Sequence, residues 1–153
     1  MKRIASESEQ DTLSVGIEIG RIAGPGRFIA LFGDLGAGKS VLARGVARGL
    51  GITAAMQSPT FILLNVYEEG RLPLYHFDAY RLESEDAFEA LGYEDCFFDA
   101  GVTVLEWPQR IKGLLPENRL DITITYGQAP GQRIICLMPR GKEAERMMKE
   151  AGL

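Results

Sequence analysis

Leu31 to Ser40 reads LFGDLGAGKS, a glycine, four further residues and then Gly-Lys-Ser. Few short motifs constrain a fold as strongly, because this one demands a strand before it and a helix after it. Phosphate binding needs several N–H donors converging on one point, and side chains would obstruct the approach. Gly33, Gly36 and Gly38 remove the obstruction and permit the positive φ values that shape a nest of amides. In such a loop Lys39 bridges the β- and γ-phosphates. The Ser40 hydroxyl ligates Mg²⁺ at a helix N-terminus that favours negative charge. The context fits, since RFIALF (Arg27 to Phe32) reads as a buried strand and SVLARGVARGL as a helix stopping at Gly49 to Gly51.

The remaining elements follow from pattern. EQDTLSVGIEIGRIA, Glu9 to Ala23, sets Leu13, Ile17 and Gly20 on one helical face, with serines upstream as caps. FILLNVY and LPLYHFD read as strands of a hairpin around EEGR. Short helices are expected at Ser84 to Leu91 and Glu94 to Phe98. VTVLEW (Val102 to Trp107) is an apolar strand ended by Pro108. RLDITITY alternates cleanly and pairs with RIICLMP, and Lys142 to Leu153 forms a last helix. This order predicts one domain over residues 1–153. Its class is a three-layer α/β fold of the P-loop NTPase kind, with a mixed, mostly parallel sheet.

Composition narrows the function. A net charge of -4 argues against a surface built mainly to hold nucleic acid. No apolar run approaches the roughly 18 to 20 residues that span a bilayer, so no membrane role is expected. The opening MKRIASESEQ lacks an apolar segment of the secretory type, which gives a cytoplasmic expectation. Cys96 and Cys136 belong to no paired motif and read as reduced, partly buried thiols.

A nucleotide site also needs a carboxylate for the magnesium shell, at the end of a strand neighbouring the loop. Glu106, closing VTVLE, occupies such a place; the alternative is a surface glutamate at a strand end. Asp78 closes LPLYHFD and either positions a water or caps the following turn. Asn118 to Asp121, NRLD, resembles a guanine-reading motif but leads into a strand instead of following one, so ATP is favoured over GTP. His76 is expected to be packed and hydrogen-bonded, and Trp107 to be a packing group able to report nucleotide binding by fluorescence. A small-molecule kinase would need an arginine-bearing lid, and the arginines here are scattered. A non-hydrolysing nucleotide-sensing adaptor is the other rival reading.

GDLGAGKS, SPTF (Ser58 to Phe61), YHFDAYRL (Tyr75 to Leu82) and LEWPQR (Leu105 to Arg110) occur in the order and spacing of the bacterial TsaE (YjeE) family. EQDTLSVG, LPENRLDI and the total length also resemble it. The resemblance implies a P-loop ATPase needed for N6-threonylcarbamoyladenosine at position 37 of tRNAs that read ANN codons. Such proteins bind the TsaB–TsaD complex and reset it through ATP hydrolysis, without performing the transfer. Whether tRNA is touched directly is left open.

By motif, the resemblance assigns ATP or ADP phosphates to Asp34, Gly36, Ala37, Gly38, Lys39, Ser40 and Val41. It gives Mg²⁺ to Ser40 and Glu106, and catalysis to Lys39, Asp78 and Glu106. Thr60 resembles a switch-like residue near the γ-phosphate. Glu9 and Thr12 fall in the segment that lies against the nucleotide in the family, and Arg133 resembles an arginine that contacts it. Two departures stand out. Many members have Lys-Thr-Thr where this chain has Lys39, Ser40 and Val41, which keeps the metal hydroxyl and loses the second one. Relatives often have Gly and Arg adjacent in the late turn, where Gln132 here separates Gly131 from Arg133.

Overall fold

A computed structural model of the chain describes residues 1–57, 63–97 and 100–153. Seven strands form one sheet: β1 (Lys2–Ser6), β2 (Phe28–Phe32), β3 (Leu64–Tyr67), β4 (Leu74–Asp78), β5 (Val102–Glu106), β6 (Arg119–Tyr126) and β7 (Arg133–Arg140). Their spatial order is β1-β7-β6-β2-β5-β4-β3. β2 runs parallel to β5 and β6, and β4 parallel to β5. Only β3 and β7 are reversed, through the β3–β4 and β6–β7 hairpins, so the sheet is mixed and mostly parallel, as the pattern predicts. The helices are α1 (Glu9–Ile22), α2 (Lys39–Gly49), α3 (Glu85–Glu89), α4 (Glu94–Phe97) and α5 (Lys142–Glu150), with a 3-10 segment at Pro108–Leu114.

Alternation along the strands sorts the core into two layers. Ile29 and Leu31 of β2 face the cluster that holds Ile19, Leu42, Val46, Met147 and Met148 of α1, α2 and α5. Phe28 and Ala30 face the opposite cluster, with Phe77, Phe88, Phe97 and Ile111. This is the three-layer arrangement.

α1 and α2 approach through glycines spaced four apart on both helices. A Cβ on Gly16 would lie 2.3 Å from the Leu42 carbonyl oxygen, and one on Gly20 would lie 2.2 Å from that of Val46. Gly45 and Gly49 face the Leu13 and Ile17 carbonyls just as closely, at 2.4 and 2.2 Å. Backbone contact of this kind fixes the N-terminus of α1 against the loop that opens α2.

Two elements depart from the sequence expectation. β1 occupies residues to which the sequence pattern assigns no element, pairing Lys2 to Ser6 with Leu137 to Arg133 of β7 at the sheet edge. Past Trp107, where the sequence pattern gives only a strand ended by Pro108, the chain continues as the 3-10 segment with Pro108 in its first turn.

Candidate nucleotide site

Because β2, β5 and β4 are parallel, their carboxyl ends share one edge, the usual ligand position in an open α/β sheet. Leu31 stands opposite Glu106 in the ladder, and Glu106 opposite Asp78. The glycine loop leaves β2 at that edge. Gly33, Gly36 and Gly38 have φ values of 153°, 77° and 116°, as an amide nest requires. Gly38 caps α2 with no side-chain hydrogen bond, and the first turn holds no acidic residue. The orphan N–H groups and positive dipole end are thereby left for an external anion.

Lys39 is buried at the start of α2. Its ammonium donates to the Gly33 carbonyl and lies 3.4 Å from the centroid of the Trp107 ring. Burial lowers its pKa, against the opposing pull of Glu106, Asp78 and Asp34. Trp107 is the one non-glycine residue with positive φ among the described residues, at 61°. Backbone strain of this kind concentrates at functional sites. Here it holds the indole beneath Lys39 and 4.9 Å from the Tyr80 ring.

The two strand-terminal carboxylates are both buried. Glu106 is 3% exposed, which removes the surface-glutamate alternative. His76, two residues before Asp78 on the same face of β4, places Nε2 at 2.7 Å from Glu106 Oε2. Its Nδ1 has no partner among the described residues, so the Glu106 bond alone orients the ring. Asp78 caps the following turn, its Oδ1 accepting from the Tyr80 N–H at 2.9 Å, and the residue also lines the site cavity. Burial raises the Asp78 pKa and neighbouring Glu106 adds to the rise, while the Tyr80 N–H, His76 and Lys39 oppose it.

Lys39, Ser40, Asp78 and Glu106 thus line one cavity of about 360 Å³, together with Tyr80, Arg81 and Trp107. A second cavity of about 350 Å³ shares Gly36, Gly38 and Val41 and opens on the other flank of the loop. It is lined by Ser8, Glu9, Thr12, Ala37, Gly131 and Arg133. Thr12 is buried and bonded to Ser6 through its hydroxyl at 2.8 Å, whereas Glu9 is exposed and pairs with Arg44 at 3.4 Å. Two adjoining chambers, one with carboxylates and one between α1 and the late hairpin, suit a phosphate chain and the nucleoside attached to it.

Asp34 stands exposed, its carbonyl accepting from the Ala37 N–H at 3.1 Å. Thr60 lies outside the described residues. Sequence reasoning has Ser8 only among the serines that could cap α1, which it does, and does not single out Tyr80, Arg81 or Tyr126. Of these, Tyr80 and Arg81 fall inside the quoted YHFDAYRL and were legible there. Asp121 of NRLD pairs with Arg119 of the same motif at 2.8 Å and with Arg140 of β7 at 3.0 Å. Those side chains are committed to the sheet, far from a base-reading role. Cys96 and Cys136 are both half-buried. Among the described residues no helix is long and apolar enough to cross a membrane.

The family model for the threonylcarbamoyl adenosine biosynthesis protein TsaE matches residues 6–135. The chain belongs to the TsaE family. Its pathway is therefore tRNA threonylcarbamoyladenosine biosynthesis. Relatives include the TsaE protein of Treponema pallidum, 44% identical over 80% of this chain and 90% of that one. That of Bacillus subtilis is also 44% identical, over 92% of this chain and 87% of its own. The crystal structure of Bacillus subtilis YdiB superposes with a TM-score of 0.87 at 32% identity, covering 99% of this chain and 93% of that one.

Proposed function

We propose that the chain is a Mg²⁺-dependent ATPase of the cytoplasm. It supports N6-threonylcarbamoyladenosine formation at position 37 of tRNAs reading ANN codons by acting on a TsaB–TsaD complex, and does not itself perform the transfer. One observation carries the chemistry: Lys39, the uncapped α2 N-terminus, Asp78 and Glu106 converge on a single cavity. Family membership supports the pathway. The net charge favours a protein partner over a tRNA-binding surface.

The donor set suits magnesium. Ser40 and Glu106 offer a hydroxyl and a carboxylate beside a phosphate cradle, the hard-oxygen environment that Mg²⁺ completes with substrate phosphates and water. Ser40 and Glu106 would hold the ion, which would supply charge neutralisation for the transferring group. His76 holds one oxygen of Glu106 and leaves the other for the site. Lys39 would leave the Gly33 carbonyl and the indole for the phosphates, and its desolvated ammonium interacts strongly with them in that environment. Asp78, already a stronger base than a solvated aspartate because burial raises its pKa, would orient the attacking water and draw its proton.

Calorimetric ATP titration beside turnover separates these roles. Lys39→Ala should abolish ATP binding, whereas Asp78→Ala should bind ATP and lose turnover. An Asp78 variant with unchanged turnover would remove it from the mechanism.

A further inference from the structure

Three successive carbonyls of the glycine loop are bound from outside by the β6–β7 hairpin. The Tyr126 hydroxyl donates to the Leu35 carbonyl at 2.8 Å. Arg133 donates through Nη2 to the Gly36 carbonyl at 3.4 Å and through Nε to the Ala37 carbonyl at 2.9 Å. Tyr126 and Arg133 are directly opposite in the ladder, and the guanidinium carbon lies 4.5 Å from the tyrosine ring centroid. Each therefore limits the rotamers of the other. A further bond from Arg133 Nη1 to the Gln132 carbonyl, at 2.9 Å, fixes the guanidinium plane.

The hairpin is itself held. The Gln132 side chain accepts from the Gln128 and Ala129 N–H groups at 2.9 and 3.2 Å and donates to Glu7 at 3.1 Å. Gln132, the residue separating Gly131 from Arg133, closes the turn and ties it to the segment before α1. Its presence leaves Arg133 in reach of the loop.

A planar peptide points its C=O and the following N–H in opposite directions. Holding the Leu35 and Ala37 carbonyls from outside therefore turns the Gly36 and Gly38 N–H groups inward. The Ala37 N–H meanwhile closes the loop's own turn onto Asp34. We infer that Tyr126 and Arg133 are positioning residues that preset the phosphate nest through its carbonyls, with Arg133 acting on the loop and not as a reader of base or ribose. This rests on the nucleotide reading of the site for its ligand, though not for its geometry.

Two measurements test it on the full chain. Hydrogen exchange without any ligand should show faster exchange over Gly33 to Lys39 in Tyr126→Phe, which keeps the ring, and in Arg133→Gln, with the rest of α2 still protected. Competition binding should show that both variants weaken ATP and inorganic tripolyphosphate by the same factor. That factor is roughly three- to tenfold for Tyr126→Phe and roughly ten- to a hundredfold for Arg133→Gln, from the net worth of neutral and charged hydrogen bonds. Weaker ATP binding with unchanged tripolyphosphate binding would overturn the inference and assign Arg133 to the nucleoside. Unchanged loop exchange would overturn it as well. If the unaltered chain bound no ATP while the exchange differences appeared, the nucleotide reading would fall and the clamp would stand.

Discussion

The two faces of the sheet are held by opposite means. On the α1–α2 face the helices meet backbone to backbone, at Gly16, Gly20, Gly45 and Gly49, with no room for a Cβ. The opposite face is filled by aromatic rings: Phe97 contacts Phe28 at 4.6 Å, Phe77 at 5.4 Å and Tyr93 at 4.6 Å between centroids. Its helices are only four and five residues long. The loop, Lys39, Thr12, His76, Asp78 and Glu106 come from the first face or from strand ends that point to it, while Trp107 joins the site from the edge of the aromatic layer. A contact with no adjustable side chains fixes distances between helices. A layer of rings fills volume and can repack.

Substitution should separate the two faces sharply. Gly45→Val drives a branched side chain into the Leu13 carbonyl and should cost more than about 4 kcal/mol, close to the whole stability of a marginal domain. Phe97→Leu should cost about 1 to 3 kcal/mol with ATP affinity unchanged. Chemical denaturation with ATP titration of the folded variants would check both. Equal losses at the two positions would erase the distinction.

Next in size is Asp78→Asn, which should lower turnover by about 10²- to 10⁴-fold yet raise the melting temperature near neutral pH. The sign follows from burial. With a folded pKa above the ordinary 3.8, ionised Asp78 destabilises the native state at every pH above that raised value. The variant's advantage should therefore be full at neutral pH and shrink as pH falls from the raised value towards the ordinary one. Wild-type turnover should fade in the same window as Asp78 protonates. Thermal melts and rates across pH test both limbs, and a variant less stable than wild type at neutral pH would break the account.

The smallest effect belongs to the rim. Arg27 and Glu143 form a 2.7 Å ion pair between the lead-in to β2 and α5, with Glu143 more than half exposed. Glu143→Gln should change stability by about 1 kcal/mol or less and leave ATP binding alone.

Much of this was legible because the site depends on short-range rules. The glycine loop, the strand ending in Glu106 and the hairpin ending in Asp78 each carry their own local signal, and the parallel register then aligns them. The pairing of β6 with β7 was equally plain from alternation. β1 was not, because an edge strand with Lys2 and Arg3 exposed gives no apolar period, and only long-range pairing with β7 creates it. Helical periodicity exposed Gly20 beside Leu13 and Ile17, but the matching glycines of α2 acquire meaning only once the helices cross. The His76–Glu106 bond joins residues thirty positions apart. Neither residue alone announces it, and the same holds for Arg133 and the loop carbonyls.

The central claim is that the site hydrolyses ATP under the control of its partners. Among the described residues Arg133 is bonded to the loop's carbonyls and Arg81 lines the carboxylate cavity; we propose that acceleration comes from a partner. Phosphate release should be measured for the chain alone and with TsaB and TsaD added, while following any phosphorylated small molecule. Slow release alone, faster release with both partners and loss of that gain in Asp78→Ala is the predicted result. An isolated chain as fast as the mixture, or a γ-phosphate recovered on a small molecule, would contradict it.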